Sequence, residues 1–194
     1  PVTDILDGIS AAIRYEMGPV KVNCVVQRGV NEHQIPKLVR KFRGTGVIVR
    51  FIEFMDVGST NGWSEGQVVP TSEIIDFLSS EFDLTPLARK SASDVASRWA
   101  HSDGSGEIGF ISSVSQPFCG DCVRARLSSD GKFYTCLFTT MGHDMSTMIR
   151  SGRKTEDLTQ SIEEVWSARK DRYSEKRSSG VISLPRVEMS YIGG

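Results

Sequence analysis

Apolar residues alternate between two periods along the chain. In TDILDGISAAIRYEM, Ile5, Ile9 and Ile13 fall at i, i+4 and i+8, one stripe of a helix, with Thr3 or Asp4 where a cap belongs. GPVKVNCVVQ follows, and its β-branched run from Val20 to Val26 predicts a buried strand. Asn31 and Gln34 stand at capping-box spacing, ahead of Ile35, Leu38, Val39 and Phe42 on a second helical stripe. Pro36 is tolerable there only because it lies near the helix start. Gly44 and Gly46 end that helix, and VIVRFIEFM predicts a second buried strand. Helix, strand, helix and strand joined by short links imply parallel pairing with right-handed crossovers. Strands buried on both faces need neighbours, and two cannot close a sheet on themselves. Further strands are therefore expected upstream of Pro1.

After Met55 the pattern changes. DVGSTNGWSEG is a glycine-rich loop, and TSEIIDFLSSEF predicts a capped helix. VASRWAH and EIGFISSVS flank SDGSG as a hairpin. VRARLSSDGKFYTCLF predicts a second hairpin turning at Asp130-Gly131, which carries Cys136 back toward Cys119 and Cys122. Near the end, Leu158, Ile162, Val165, Trp166, Arg169 and Tyr173 predict one face of a long helix, and the charged run from Lys170 to Arg177 its solvated face. There are no internal repeats.

Composition narrows the class. The chain has 194 residues, 39% of them apolar, and a formal charge of -1. That describes a soluble globular protein with a sizeable core. It argues against a general polyanion binder, so nucleic acid is not an expected partner, and any phosphate must be held by local basic residues. No run of roughly 18 apolar residues offers a membrane span, and no signal peptide opens the chain. The sequence starts at Pro1 without methionine, as a processed product or a piece of something longer would.

Cysteine usage is the sharper constraint. Three of the four cysteines form C-x2-C-x13-C within CGDCVRARLSSDGKFYTC. This is not a disulfide scaffold; it points to a metal, a cluster or a redox pair in a reducing compartment, with the cytoplasm as the expected location. Three thiolates need positive charge to offset them, and Arg124 and Arg126 follow Cys122 closely. If VRARL is extended, both arginines share a face with Cys122. Two guanidiniums beside a metal suit a phosphate ligand, which arginine holds bidentately. A zinc ribbon would want a fourth ligand, and His143 is the nearby option. A 4Fe-4S cluster on three cysteines leaves one iron open for substrate. A non-catalytic zinc-ribbon or nucleotide-binding module stays in play on spacing alone. A thioredoxin-like pair fits less well, since CGDC opens no helix and has a third partner. Cys24, in an apolar strand, is a core cysteine. Lys21 and Asn23 share one face of the first strand, and Glu53 and Met55 one face at the end of the second. Strand ends of that kind point into the active site in parallel α/β folds.

VKVNCVVQRGVNEHQI, VIVRFIEFM, GFISSVSQPFCGDCVRARLSSDGKFYTCLF and the closing MSYIGG strongly resemble the molybdenum cofactor biosynthesis protein A family, the GTP 3',8-cyclases. These are radical S-adenosylmethionine enzymes. The resemblance runs from about Thr3 to Gly194. It implies an α/β fold: the last two βα units of an incomplete (βα)6 TIM-type barrel over 1–62, then an α+β extension with antiparallel hairpins over 63–194. It implies that Cys119, Cys122 and Cys136 ligate a second 4Fe-4S cluster whose open iron meets guanine. It implies that Lys21, Arg124, Ala125 and Arg126 contact GTP, that Met55 lines the S-adenosylmethionine pocket, and that Gly193 and Gly194 thread into the active site. The family's C-x3-C-x2-C motif for the first cluster is absent here. The chain alone is thus expected to be inactive, as the C-terminal half of the enzyme. In the implied reaction, a 5'-deoxyadenosyl radical abstracts the ribose 3' hydrogen of GTP and the carbon radical attacks guanine C8. The product passes to a cyclic pyranopterin monophosphate synthase. The uncovered edge of the first strand makes a homodimer the expected state of the isolated chain.

Overall fold

The computed structural model describes residues 1–177 and 187–192. The chain divides into two compact units, Pro1–Phe54 with Glu65–Gln116, and Met55–Ser64 with the chain from Pro117 on. Among the described residues no helix is long and apolar enough to cross a membrane.

The first unit is α/β. Helix α1 (Val2–Arg14) leads to strand β1 (Lys21–Val26), helix α2 (Ile35–Phe42) to β2 (Ile48–Glu53), and helix α3 (Thr71–Ser79) to strands β3 (Leu84–Leu87), β4 (Ser97–His101) and β5 (Glu107–Ile111). The sheet order is β1-β2-β5-β4-β3. β1, β2 and β5 are parallel, and β4 and β3 join antiparallel. β1 pairs with β2 as predicted, and the SDGSG hairpin forms. The neighbour on the far side of β2 comes from within the chain: Phe51 stands beside Phe110 of β5, rings 6.1 Å apart. Val26, Val39, Phe51, Ile74, Leu78 and Phe110 fill the core.

Three local expectations are revised. Val20 to Val26 is not buried throughout. Among the described residues β1 is an edge strand paired on one side, and its exposure alternates, leaving Val25 46% exposed. Asn31 does not cap α2; its side chain turns back, accepting the Gln27 N–H at 2.8 Å and donating to the Val25 carbonyl at 2.8 Å. Nor does a local side chain cap α1 or α3. The Thr71 N–H at the start of α3 instead donates to Glu53 Oε1 at 2.8 Å.

The second unit carries a three-stranded antiparallel sheet, β6 (Arg126–Leu127), β7 (Lys132–Tyr134) and β8 (His143–Asp144). Its hairpin turns at Asp130-Gly131 as read from the sequence. Gly131 has φ +80°, and a Cβ there would stand 2.7 Å from Ser146 Cβ, so glycine is required twice over. Helices α4 (Ser146–Arg150), α5 (Thr155–Ser167) and α6 (Tyr173–Lys176) follow. The predicted long helix is broken: α5 closes at Ala168, and Asp171 is drawn out of helical geometry by a side-chain bond to Thr135.

Candidate functional site

The C-x2-C loop is a single tight turn in the second unit. Cys119–Asp121 form one 3-10 turn, closed by the Cys122 N–H donating to the Cys119 carbonyl at 3.3 Å. Cys122 is already extended, at φ −75° and ψ 115°. Cys136 leaves the end of β7, and the Phe138 N–H points at its sulfur from 3.5 Å. All three are free, half-buried thiols.

Their charges are coupled. Burial pushes the Cys136 thiol up; the Phe138 N–H opposes this, and Asp171, Cys119 and Cys122 raise it further. Burial also raises Cys122, but the backbone N–H and guanidinium of Arg124, with the charges of Arg124 and Arg169, outweigh it and hold the thiol below its ordinary value. Arg126, on β6, is lowered by burial and by Arg124, while Cys136 and Cys122 pull the other way. Arg124 is exposed, its guanidinium 5.1 Å over the Phe118 ring. Two thiols of one hairpin arm, one of the other, and the two predicted arginines thus share one electrostatic neighbourhood. Three soft sulfur donors with arginines nearby suit an iron–sulfur group in their donor chemistry. Among the described residues, no group of three or more His, Cys, Asp or Glu is placed to hold a single metal ion. His143 lies exposed on β8.

A cleft of about 510 Å³ opens beside this turn, lined by Cys119, Cys122, Trp166, Arg169, Lys170 and Arg172 among others. Arg169 lies over the Trp166 ring at 4.5 Å, and Arg172 is raised first by its bond to Glu175 and that carboxylate's charge, with Cys119 the smallest contribution. Sequence reasoning placed these arginines on a helix face and missed them. The available signal was two further cations in a chain of low net charge, but the break between α5 and α6 that delivers them carries no glycine or proline.

The remaining candidates are more scattered. Ala125 is exposed between the two arginines. Met55 is half-buried, and its carbonyl accepts from Asn61 Nδ2 at 2.9 Å. Lys21 belongs to the first unit, exposed at the first position of β1 opposite Ile48. Cys24 leans on the core, and burial raises its thiol. Glu53 is fully buried and binds the backbone, accepting the N–H groups of Thr71, Val114 and Ser115, each at 2.8 Å. Gly193 and Gly194 lie outside the described residues.

Residues 47–175 match the family described as Molybdenum Cofactor Synthesis C. Among curated proteins, the GTP 3',8-cyclase of Xanthomonas campestris pv. campestris (strain B100) is 49% identical over 193 residues, covering 100% of this chain and 56% of the relative. The GTP 3',8-cyclase of Staphylococcus haemolyticus is 43% identical over 196 residues, covering 99% and 57%. That of Acidothermus cellulolyticus is 41% identical over 219 residues, covering 100% and 60%. The chain spans little more than half the length of these relatives. With the family match extending over more than half of its own residues, this chain belongs to the Molybdenum Cofactor Synthesis C family.

Proposed function

We propose that this chain forms the second-cluster and GTP-binding part of a GTP 3',8-cyclase in molybdenum cofactor synthesis. The observation that carries the reading is the placement of Cys119 and Cys122 on one tight turn ahead of β6 and of Cys136 just past its partner strand β7, with Arg124 acting on Cys122 and with Cys122 and Cys136 both acting on Arg126. The three thiols would hold a 4Fe-4S cluster. When bound, that cluster supplies an iron open to the guanine of GTP. Cys119, Cys122 and Cys136 would be its protein ligands, held on the two arms of the β6-β7 hairpin. Arg124 and Arg126 would fix phosphate oxygens by charge-assisted bonds, with the Ala125 backbone between them. Lys21 is assigned to the same nucleotide, Met55 to the S-adenosylmethionine pocket, and Gly193 and Gly194 to an active-site tail.

The parallel β1-β2 pair with its helices is consistent with the closing βα units of an incomplete barrel over residues 1–62, and 63–194 with the region that follows it. Radical formation is assigned to residues outside this sequence, which has no C-x3-C-x2-C motif. The chain alone is expected to release no 5'-deoxyadenosine from S-adenosylmethionine. The unpaired side of β1 is assigned to association, and the product to a cyclic pyranopterin monophosphate synthase.

The test is Arg124→Ala and Arg126→Ala in a complete cyclase, purified anaerobically. Each charge-assisted contact is worth roughly 1.5–3 kcal/mol, so turnover of GTP should fall about ten- to a hundredfold per site with iron and sulfide unchanged. Loss of iron along with turnover would make the arginines counterions to the thiolates instead. Colourless protein holding zinc would overturn the cluster reading.

A further inference from the structure

From the break after α5 into α6 the chain carries DRYSE, residues 171–175, and every second residue of it reaches the cysteine-bearing fold. Asp171 accepts the Thr135 hydroxyl at 2.5 Å, one residue before Cys136. Tyr173 stacks on Phe138, two residues after Cys136, with rings 4.5 Å apart. Glu175 accepts the Gly120 N–H at 3.1 Å, between Cys119 and Cys122. Each carboxylate is oriented by its own arginine: Arg172 Nε lies 2.5 Å from Glu175 Oε2, and Arg169 Nε lies 3.7 Å from Asp171 Oδ2. The approach at Gly120 is close, since a Cβ there would stand 3.3 Å from Arg172 Nη2.

These contacts have a topological consequence. Cys119 and Cys122 sit on one arm of a hairpin and Cys136 on the other. β6 offers only two residues to the ladder that joins the arms. With the Ser128–Lys132 bonds confined to the turn, a ladder that short leaves the far ends of the arms, where the cysteines lie, to be placed by other contacts. The segment from Arg169 to Glu175 touches both.

We propose that Asp171 and Glu175 are positioning residues for the three-thiol site, a brace tying the residues that flank Cys119 and Cys122 on one arm to those that flank Cys136 on the other. This rests on the assignment of Cys119, Cys122 and Cys136 to one cluster. The brace touches the residues flanking the thiols and takes no part in the chemistry. It acts as the outer partners of metal ligands do, by removing the freedom that the ligands would otherwise lose on binding. Tyr173 adds an apolar contact on the Cys136 side, and its hydroxyl donates to Asp56 Oδ2 at 2.5 Å, which anchors the brace at a third place.

The experiment compares the complete enzyme with Asp171→Ala, Asp171→Asn, Glu175→Ala, Glu175→Gln and a control, Glu163→Gln, on exposed α5. Two measurements are made. The first is the rate at which an iron chelator strips the reconstituted cluster, followed by its visible absorption. The second, independent of any cluster, is cadmium(II) binding to the three thiols of the apo protein, read from sulfur-to-metal charge transfer in variants that retain only these cysteines. Loss of an outer-shell partner typically costs about 10- to 100-fold in metal affinity. Both alanine variants should therefore strip faster and bind cadmium about tenfold more weakly, with unchanged far-ultraviolet circular dichroism. The Asn and Gln variants keep an acceptor oxygen for Thr135 and Gly120 and should stay near wild type, as should Glu163→Gln. Alanine variants equal to wild type in both measurements would overturn the proposal. So would Asn and Gln variants as impaired as alanine, which would make the carboxylates act through charge or ligation. If wild type takes up no cluster yet binds cadmium with three thiols, the cluster reading fails by itself and the cadmium ratios still decide the brace.

Discussion

The two units are held together by different means. Every residue of the main apolar cluster, from Val26 on β1 to Phe110 on β5, belongs to the first unit. Among the described residues, the buried apolar ones of the second are Tyr134, Met145 and Ile192. Among the described residues the second unit has no apolar cluster of that size, and its segments are joined by polar ties over long sequence distances. Asp56 binds Tyr173 and Arg177, Glu188 accepts the Ser59 N–H, Tyr191 donates to Asp130, and Thr135 and Gly120 bind the brace. Burial of apolar area is the larger and less geometrically demanding source of stability. Hydrogen bonds contribute less net, but they specify distances. The first unit is therefore built to stand, and the second to place groups accurately at modest stability. A ligand bound only by the folded second unit would add its binding free energy to that unit's stability.

The comparison can be broken at its core. Phe110→Ala removes a ring that touches Phe51 and Trp99 at the centre of the first unit. Such truncations cost about 3 to 5 kcal/mol. Phe138→Ala removes a ring of the same size from the second unit, where it is half-buried and stacked on Tyr173. The expected cost there is about 1 to 2 kcal/mol, from partial burial and the stacking contact. Urea unfolding followed at both units measures the difference. Equal losses would show that the second unit relies on apolar packing as much as the first.

The next effect lies at a fully buried polar fastening within the first unit. Glu53 Oε1 accepts the Thr71 N–H and the Ser115 hydroxyl, and Oε2 accepts the N–H groups of Val114 and Ser115. Glu53→Gln sets an amide NH2 against backbone donors. Each buried donor left without an acceptor costs about 1 to 3 kcal/mol, so the expected loss is about 3 kcal/mol by chemical denaturation. Glu163→Gln on exposed α5 should change stability by less than about 0.5 kcal/mol.

Glu53 also shows where a sequence stops being legible. β1, β2, both hairpins and the apolar stripe of α2 were readable because they depend on periods and turn residues local to each segment, whereas the short strands β3 and β8 were not foreseen. Caps were not. Asn31 stands at capping spacing but spends its side chain on β1, and α3 takes its cap from Glu53, 18 positions upstream. Tertiary partners decided these ends, and no local window contains them. The same holds at the site. The cysteine pattern and its hairpin were legible from spacing, and so were Arg124 and Arg126. Arg169, Arg172 and the brace were hidden, because helical periodicity continues through Arg169 and Tyr173 while the chain itself leaves the helix to meet Thr135 and Gly120. Likewise β1 reads as buried from its β-branched residues, but composition does not report how many neighbours a strand has.

The smallest expected effect concerns acid, and it sharpens the contrast from the side of the first unit. His101 ends β4, buried at 4% exposure, with its ring edge-on to Phe82 and no partner for Nδ1 among the described residues. Burial lowers its pKa first and the Arg43 charge lowers it further, while Asp103 works weakly in the opposite direction. The imidazole is therefore neutral in the folded chain at pH values where the unfolded chain already binds a proton. Below the ordinary histidine value of about 6.5 the unfolded state gains protons that the folded state does not, so stability falls as pH falls. Above that value the contribution is fully present. Other groups of the unit, Glu107 among them, also favour neutral over acid pH, because their partners hold their carboxyl groups low. His101→Gln separates the two sources. Urea midpoints at about pH 7.5 and about pH 5.5 should differ more in the wild type than in the variant. An identical shift in both would mean that His101 gains its proton in the folded chain as readily as in the unfolded one, and that the burial of its ring carries no penalty for charge.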